Sequence, residues 1–62
     1  MKEELKKSLQ TLPSSALINI LKNDYETFGE DGNIKQEFGE VILWVKEKRQ
    51  VLLEILLERA TQ

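Results

Sequence analysis

The sequence contains no cysteine and no histidine. The first absence excludes disulfides and thiolate metal sites. The second removes the commonest zinc ligand and the usual general base near neutral pH. There is one proline, Pro13, and there are only 3 glycines, so few positions invite a sharp turn. A surplus of one charge is also missing: 9 Lys and Arg against 11 Asp and Glu give a formal net charge of -2. Such a chain has no general affinity for nucleic acid or anionic membrane, both of which reward excess Lys and Arg. No apolar run approaches the roughly 20 residues of a bilayer span. The opening stretch, MKEELKKSLQ, is charged and amphipathic, without the apolar segment or cleavage site of a signal peptide. These absences make the cytoplasm the expected location and leave no membrane partner.

What is present describes a globular chain. Hydrophobic residues are 40% and charged residues 32%, too apolar a balance for a disordered segment. The 62 residues form at most one domain, 1–62. A chain of this length buries only about 60% of its unfolded surface, and such domains commonly need a disulfide, a metal or a partner chain. With the thiol routes excluded, self-association is the most available way to enlarge the core.

Periodicity predicts three helices. Leu5, Leu9 and Leu12 make a thin stripe on a first helix over Lys2 to Gln10, ended by Pro13. Ser14 or Ser15 is a candidate cap for a second helix, Ser14 to Phe28, whose apolar face is Leu17, Ile20, Leu21, Tyr25 and Phe28. Gly29 follows where a left-handed terminating residue is usual. The third helix is expected to be long, Asn33 to Ala60, with Asn33 and Gln36 resembling a capping box. Wound as a helix, it aligns Ile34, Phe38, Val41, Ile42, Val45, Leu52, Leu53 and Leu56 on one stripe. Trp44, Val51 and Ile55 widen that stripe. Glu40, Glu47, Gln50, Glu54 and Glu58 occupy the back.

The stretch EDGNIKQEFGE resembles half of a calcium loop. With Gly32 at loop position 6, Asp31 and Ile34 fall correctly at 5 and 8, but Thr27, Gly29 and Phe38 occupy 1, 3 and 12, where oxygen ligands are required. Glu37 is one residue early, about 100° round a helix. The turn reading accounts for the same letters: Gly29 ends one helix, Gly32 frees the backbone and Asn33 begins the next. No metal and no cofactor is expected.

The expected architecture is all-α: a short N-terminal helix plus an antiparallel helical hairpin with a long C-terminal helix. The second helix can cover only the first half of the third, and the first offers only three leucines to cover VLLEILLERA. The surplus predicts a homodimer, or a dimer of dimers, packed as a helical bundle. Val45, Arg49, Val51, Leu52, Ile55 and Leu56 are the candidate dimer interface. Asp24 and Arg49 both lie inside apolar arcs, yet a hairpin of two continuous helices separates them by about four turns. They could pair between chains; alternatively, Arg49 runs its stem along the core and lifts its head to solvent.

No catalytic constellation appears. The paired carboxylates (Glu3 and Glu4, Glu30 and Asp31, Glu54 and Glu58) sit on hydrophilic faces, without the shielding that shifts a pKa. Phosphate-loop and nucleophile motifs are missing. Lys46, Lys48 and Arg49 in VKEKRQ point in three directions, which is a poor recognition helix. The function expected is therefore non-catalytic: a small protein-interaction or regulatory module acting as a homo-oligomer. Leu43, Trp44 and Leu57 are possible contacts for another protein. A small nucleic-acid-binding regulator is the alternative.

Overall fold

The computed structural model describes residues 2–38 and 40–62, and all of their side chains except those of Lys2, Phe38 and Val41. Its elements are α1 (Lys2–Gln10), α2 (Ser14–Phe28), β1 (Lys35–Phe38), β2 (Val41–Trp44) and α3 (Val45–Ala60). The chain is mostly helical, with three helices and a small antiparallel sheet.

The first two helices occupy the spans their periodicity predicts. Pro13 separates them as the N-cap of α2, with φ -68 and ψ 157. Neither Ser14 nor Ser15 caps the helix by its side chain. The Pro13 carbonyl accepts from the amides of Ala16 and Leu17 at 3.0 and 3.2 Å instead. At the other end, Gly29 donates its N–H to the Tyr25 carbonyl at 3.0 Å. Its φ of 75 and ψ of -176 lie outside the left-handed helical well, in a region open essentially to glycine alone.

The long third helix is the main correction. Residues 33–38 and 40–44 are not helical: β1 and β2 pair antiparallel, Lys35 with Trp44, Gln36 with Leu43, Glu37 with Ile42 and Phe38 with Val41. Asn33 and Gln36 therefore form no capping box. The segment Val41-Ile42-Leu43-Trp44 is β-branched and aromatic, which suits a pleated surface. Alternation along each strand sets Lys35, Glu37, Ile42 and Trp44 on one face and Gln36 and Leu43 on the other. Gln36 and Leu43 are half-buried, whereas Lys35, Glu37 and Ile42 are exposed. The side chains of Phe38 and Val41, assigned to the apolar stripe by periodicity, lie outside the described residues.

α3 starts directly where β2 ends. The first amides of a helix have no partner within it. Here the Val45 N–H donates to the Ile34 carbonyl at 2.9 Å and the Lys46 N–H to the Gly32 carbonyl at 3.0 Å. The loop before the hairpin thus caps the helix after it.

The core is built on α3, against which α1 and α2 both pack. Leu9, Leu17, Val51, Leu52 and Ile55 form its buried cluster, and Leu5, Leu12, Ile20, Leu21 and Leu56 pack around it. Val51 and Ile55, expected on the flank of the stripe, lie at its centre; Leu53, expected within it, is 48% exposed. Burying such a side chain contributes about 1.5 to 3 kcal/mol, so this small set is the main apolar driving force.

On the flank of α3 beside α1, Lys6 bridges Glu54 at 2.7 Å and Glu58 at 2.8 Å. The expected solvated back face is therefore partly an ion-pair seam between helices. The two carboxylate hydrogen bonds, Glu54 first, raise the Lys6 pKa above the ordinary lysine value. A pKa raised on folding adds stability that is complete below the unfolded value and lost as pH rises through the folded one. Replacing Lys6 by Met should therefore lower the melting temperature slightly at pH 7, by the small amount typical of exposed pairs. The wild-type advantage should shrink in melts as pH rises past the ordinary lysine value and through the raised folded one.

Candidate interaction surface

The chemistry of the surface begins with the charges buried beneath it. Asp24, Lys48 and Arg49 are exposed by only 2%, 4% and 4%. Charges are stable in such places only when paired and hydrogen-bonded. Lys48 Nζ donates to Asp24 Oδ1 at 2.8 Å and to Gln36 Oε1 at 2.6 Å. One ammonium thereby joins α2, β1 and α3.

Arg49 points the other way. Its Nη1 donates to the Glu30 carbonyl at 2.8 Å, and Nη2 to the Asp24 carbonyl at 3.0 Å and to the Gly29 carbonyl. These carbonyls belong to the C-terminal part of α2 and the turn after it, where the helix dipole is negative and a cation is favoured. The guanidinium also lies 4.1 Å from the Tyr25 ring centroid, a cation–π stack. Asp24 Oδ2 and Arg49 Nε are buried without a hydrogen-bond partner among the described residues.

This corrects the separation expected for Asp24 and Arg49. They meet within one chain, because α3 starts at Val45 and its first turn faces the end of α2. The contact is from guanidinium to backbone carbonyl; the carboxylate itself goes to Lys48, which sequence reasoning had grouped only with surface charges. Lys48 shares a helical face with Leu52 and Ile55, four and seven residues on. That spacing was the available signal.

Asp24–Lys48 at one end and Arg59–Ser14 at 3.0 Å at the other fix α2 and α3 as antiparallel neighbours. The Tyr25–Arg49 stack shows which flanks adjoin. On α2 the row Tyr25, Leu21, Ile18 runs back at helical spacing; on α3 the row Arg49, Leu53, Leu56 runs forward beside it. Leu21 and Leu56 pack on the core. Ile18, Tyr25 and Leu53 remain 53%, 43% and 48% exposed, and Leu57, beside this row, is 66% exposed. Because α1 lies along the Glu54 and Glu58 flank, it leaves this apolar face of α2 and α3 open.

The residues selected from sequence fall into two groups. Val45, Arg49, Val51, Leu52 and Ile55 are buried inside the chain, and Leu56 is half-buried beside them. Cover expected from a second chain is supplied to these residues by α1, α2 and the hairpin. Leu43 and Trp44 are half-buried in β2. Leu57 is exposed about 20 Å further along α3, by the helical rise, so these three make no single surface. Trp44 carries Lys35 and Lys46 near its ring, 5.3 and 5.7 Å from the centroid. Tyr25 was missed as a surface residue because it was assigned to the inward face of α2, and Ile18 was assigned to no face.

Among the described residues, no group of three or more acidic side chains is placed to hold a metal ion. None of the helices described is long and apolar enough to cross a membrane. Compared with protein-family models, curated proteins and solved structures, the chain matches none.

Removing one partner of a buried ion pair typically costs about 3 to 5 kcal/mol, whereas replacing both by apolar groups is often neutral. Asp24→Leu should therefore destabilise strongly in urea melts, and the Asp24→Leu/Lys48→Met double variant should be more stable than Asp24→Leu alone. Gly32 sits at φ 56, and an added Cβ would lie 2.9 Å from Arg49 Nη1 and 3.1 Å from the Lys46 backbone nitrogen. Gly32→Ala should lower stability by about 1 to 3 kcal/mol, read by the same melts.

Proposed function

We propose that the protein is a non-catalytic interaction module that works by docking its apolar α2–α3 face onto protein, in the cytoplasm and as a homo-oligomer. The observation that carries this reading is the group Ile18, Tyr25, Leu53 and Leu57, between 43% and 66% exposed on the adjoining flanks of α2 and α3. Large apolar side chains gathered on one face mark docking sites in small soluble domains. Tyr25 suits such a site: its ring is held by Arg49 while nearly half its surface stays available, and tyrosine is enriched among residues that dominate binding energy.

One observation favours a second reading. Trp44 with Lys35 and Lys46 at its ring offers an aromatic surface edged by cations, the combination used to stack single-stranded bases. The net charge of -2 opposes it.

Salt separates the two. Binding that depends on phosphate contacts weakens steeply between 50 and 200 mM salt, while apolar docking changes little. Captured partners should persist through nuclease treatment and 200 mM salt, and Leu57→Glu should reduce capture at least tenfold. Capture that is lost with nuclease and restored by added oligonucleotide, with Trp44→Ala more damaging than Leu57→Glu, would replace the first reading by the second.

A further inference from the structure

We infer that the occupant of the α2–α3 face is a second copy of this chain, docked across a two-fold axis beside Leu53 with the two α3 helices antiparallel. This rests on the functional reading above and names the partner of that same face.

The first reason is the amount of surface. Among the described residues six apolar side chains are buried: Leu9, Leu17, Val45, Val51, Leu52 and Ile55. Four large apolar side chains, Ile18, Tyr25, Leu53 and Leu57, stay open on the one face. A stable interface takes about 800 Å² from each partner, roughly a sixth of the 4568 Å² this chain exposes. Leu53 lies between the exposed rows of both helices, and among the described residues no other face has its large exposed apolar residues on two adjoining helices. A second copy is present wherever the chain is made, and binding to the folded state alone stabilises it by mass action.

The second reason is charge. A two-fold interface must be complementary to itself. The exposed row of α3 reads Lys46, Gln50, Leu53, Leu57, Ala60 at helical spacing, and its acidic residues Glu47, Glu54 and Glu58 lie on the other flank. Antiparallel packing about Leu53 brings Lys46 to the last turn of the second copy's α3, Leu57–Ala60. The negative end of the helix dipole favours a cation there. The same operation holds the two Lys46 side chains about 20 Å apart, by the helical rise. Along α3, therefore, no like charges meet across the axis.

The chain has no native cysteine, so Leu53→Cys introduces a single thiol. Helices that cross at 8 to 10 Å bring facing Cα atoms close to disulfide range. Light scattering across a dilution series should give twice the chain mass at tens of micromolar. The Leu53→Glu/Leu57→Glu variant should give the monomer mass with an unchanged helical circular dichroism spectrum, and Lys46→Glu should raise the dimer dissociation constant severalfold. Mild oxidation should cross-link Leu53→Cys at least tenfold faster than Asn23→Cys, whose thiol lies on the far side of α2. A wild-type monomer at millimolar concentration overturns the inference, as does a dimer unaffected by the Glu substitutions or equal cross-linking at both sites. If that monomer still captures another protein through Leu57, docking onto protein survives as the function, while the homo-oligomer and the second copy do not.

Discussion

Everything in this molecule is organised round two adjacent cations in the first turn of α3. Lys48 and Arg49 are both almost fully buried, and taking a charge out of water costs several kcal/mol per ion even after relaxation. The sequence meets that cost with a division of labour. Lys48 takes the carboxylate of Asp24 and the amide oxygen of Gln36; Arg49 takes backbone carbonyls from the end of α2 and the turn beyond it. Successive helical residues point about 100° apart, and that divergence lets neighbours in sequence serve different elements. One holds the hairpin, the other closes the helix. Gly32 is tied to the same point, because its missing side chain is what lets the guanidinium and the start of α3 come so near.

The position of the core follows. With the N-terminus of α3 fixed against the end of α2, the antiparallel register of the two helices is set, and Leu17 meets Leu52 and Ile55 in the buried cluster. α1 then folds back after Pro13 to close one side, its leucines on the core and Lys6 on Glu54 and Glu58. A nine-residue helix can close only one side. The face left over is apolar because α2 and α3 are each apolar through a wider arc than one neighbour can cover. The proposed function is the consequence of that geometry: the same shortage of helices that limits the core leaves a site for another molecule.

Much of this was legible before any coordinates. Leu5, Leu9 and Leu12, the break at Pro13 and the glycine at 29 marked out the spans of α1 and α2. Within EDGNIKQEFGE the turn after Gly29 was legible, but Asn33 was read as beginning a helix where the chain instead enters β1. The hairpin was not seen because Ile34, Phe38, Val41, Ile42 and Val45 satisfy helical spacing as well as they satisfy alternation, and short apolar runs are ambiguous on periodicity alone. Two signals favoured strands: the glycine at 39 between two short runs, and the β-branched, aromatic character of 41–44. Extending α3 back to Asn33 then displaced the end of α2 from Arg49 and made an intrachain contact look impossible. One misplaced helix start hid the buried ion pair, and with it the reason the interior needs no second chain at Val45, Leu52 or Ile55.

The central claim is that the chain leaves the helix after α2, forms a hairpin and re-enters the helix at Val45 under the hold of Lys48 and Arg49. Proton nuclear Overhauser spectra of the native protein test it most directly. The account predicts cross-strand contacts between the backbones of Glu37 and Ile42 and of Lys35 and Trp44, with slowly exchanging amides at Val45 and Lys46. An unbroken series of helical contacts from residue 34 to residue 60, with no cross-strand contact, would contradict it.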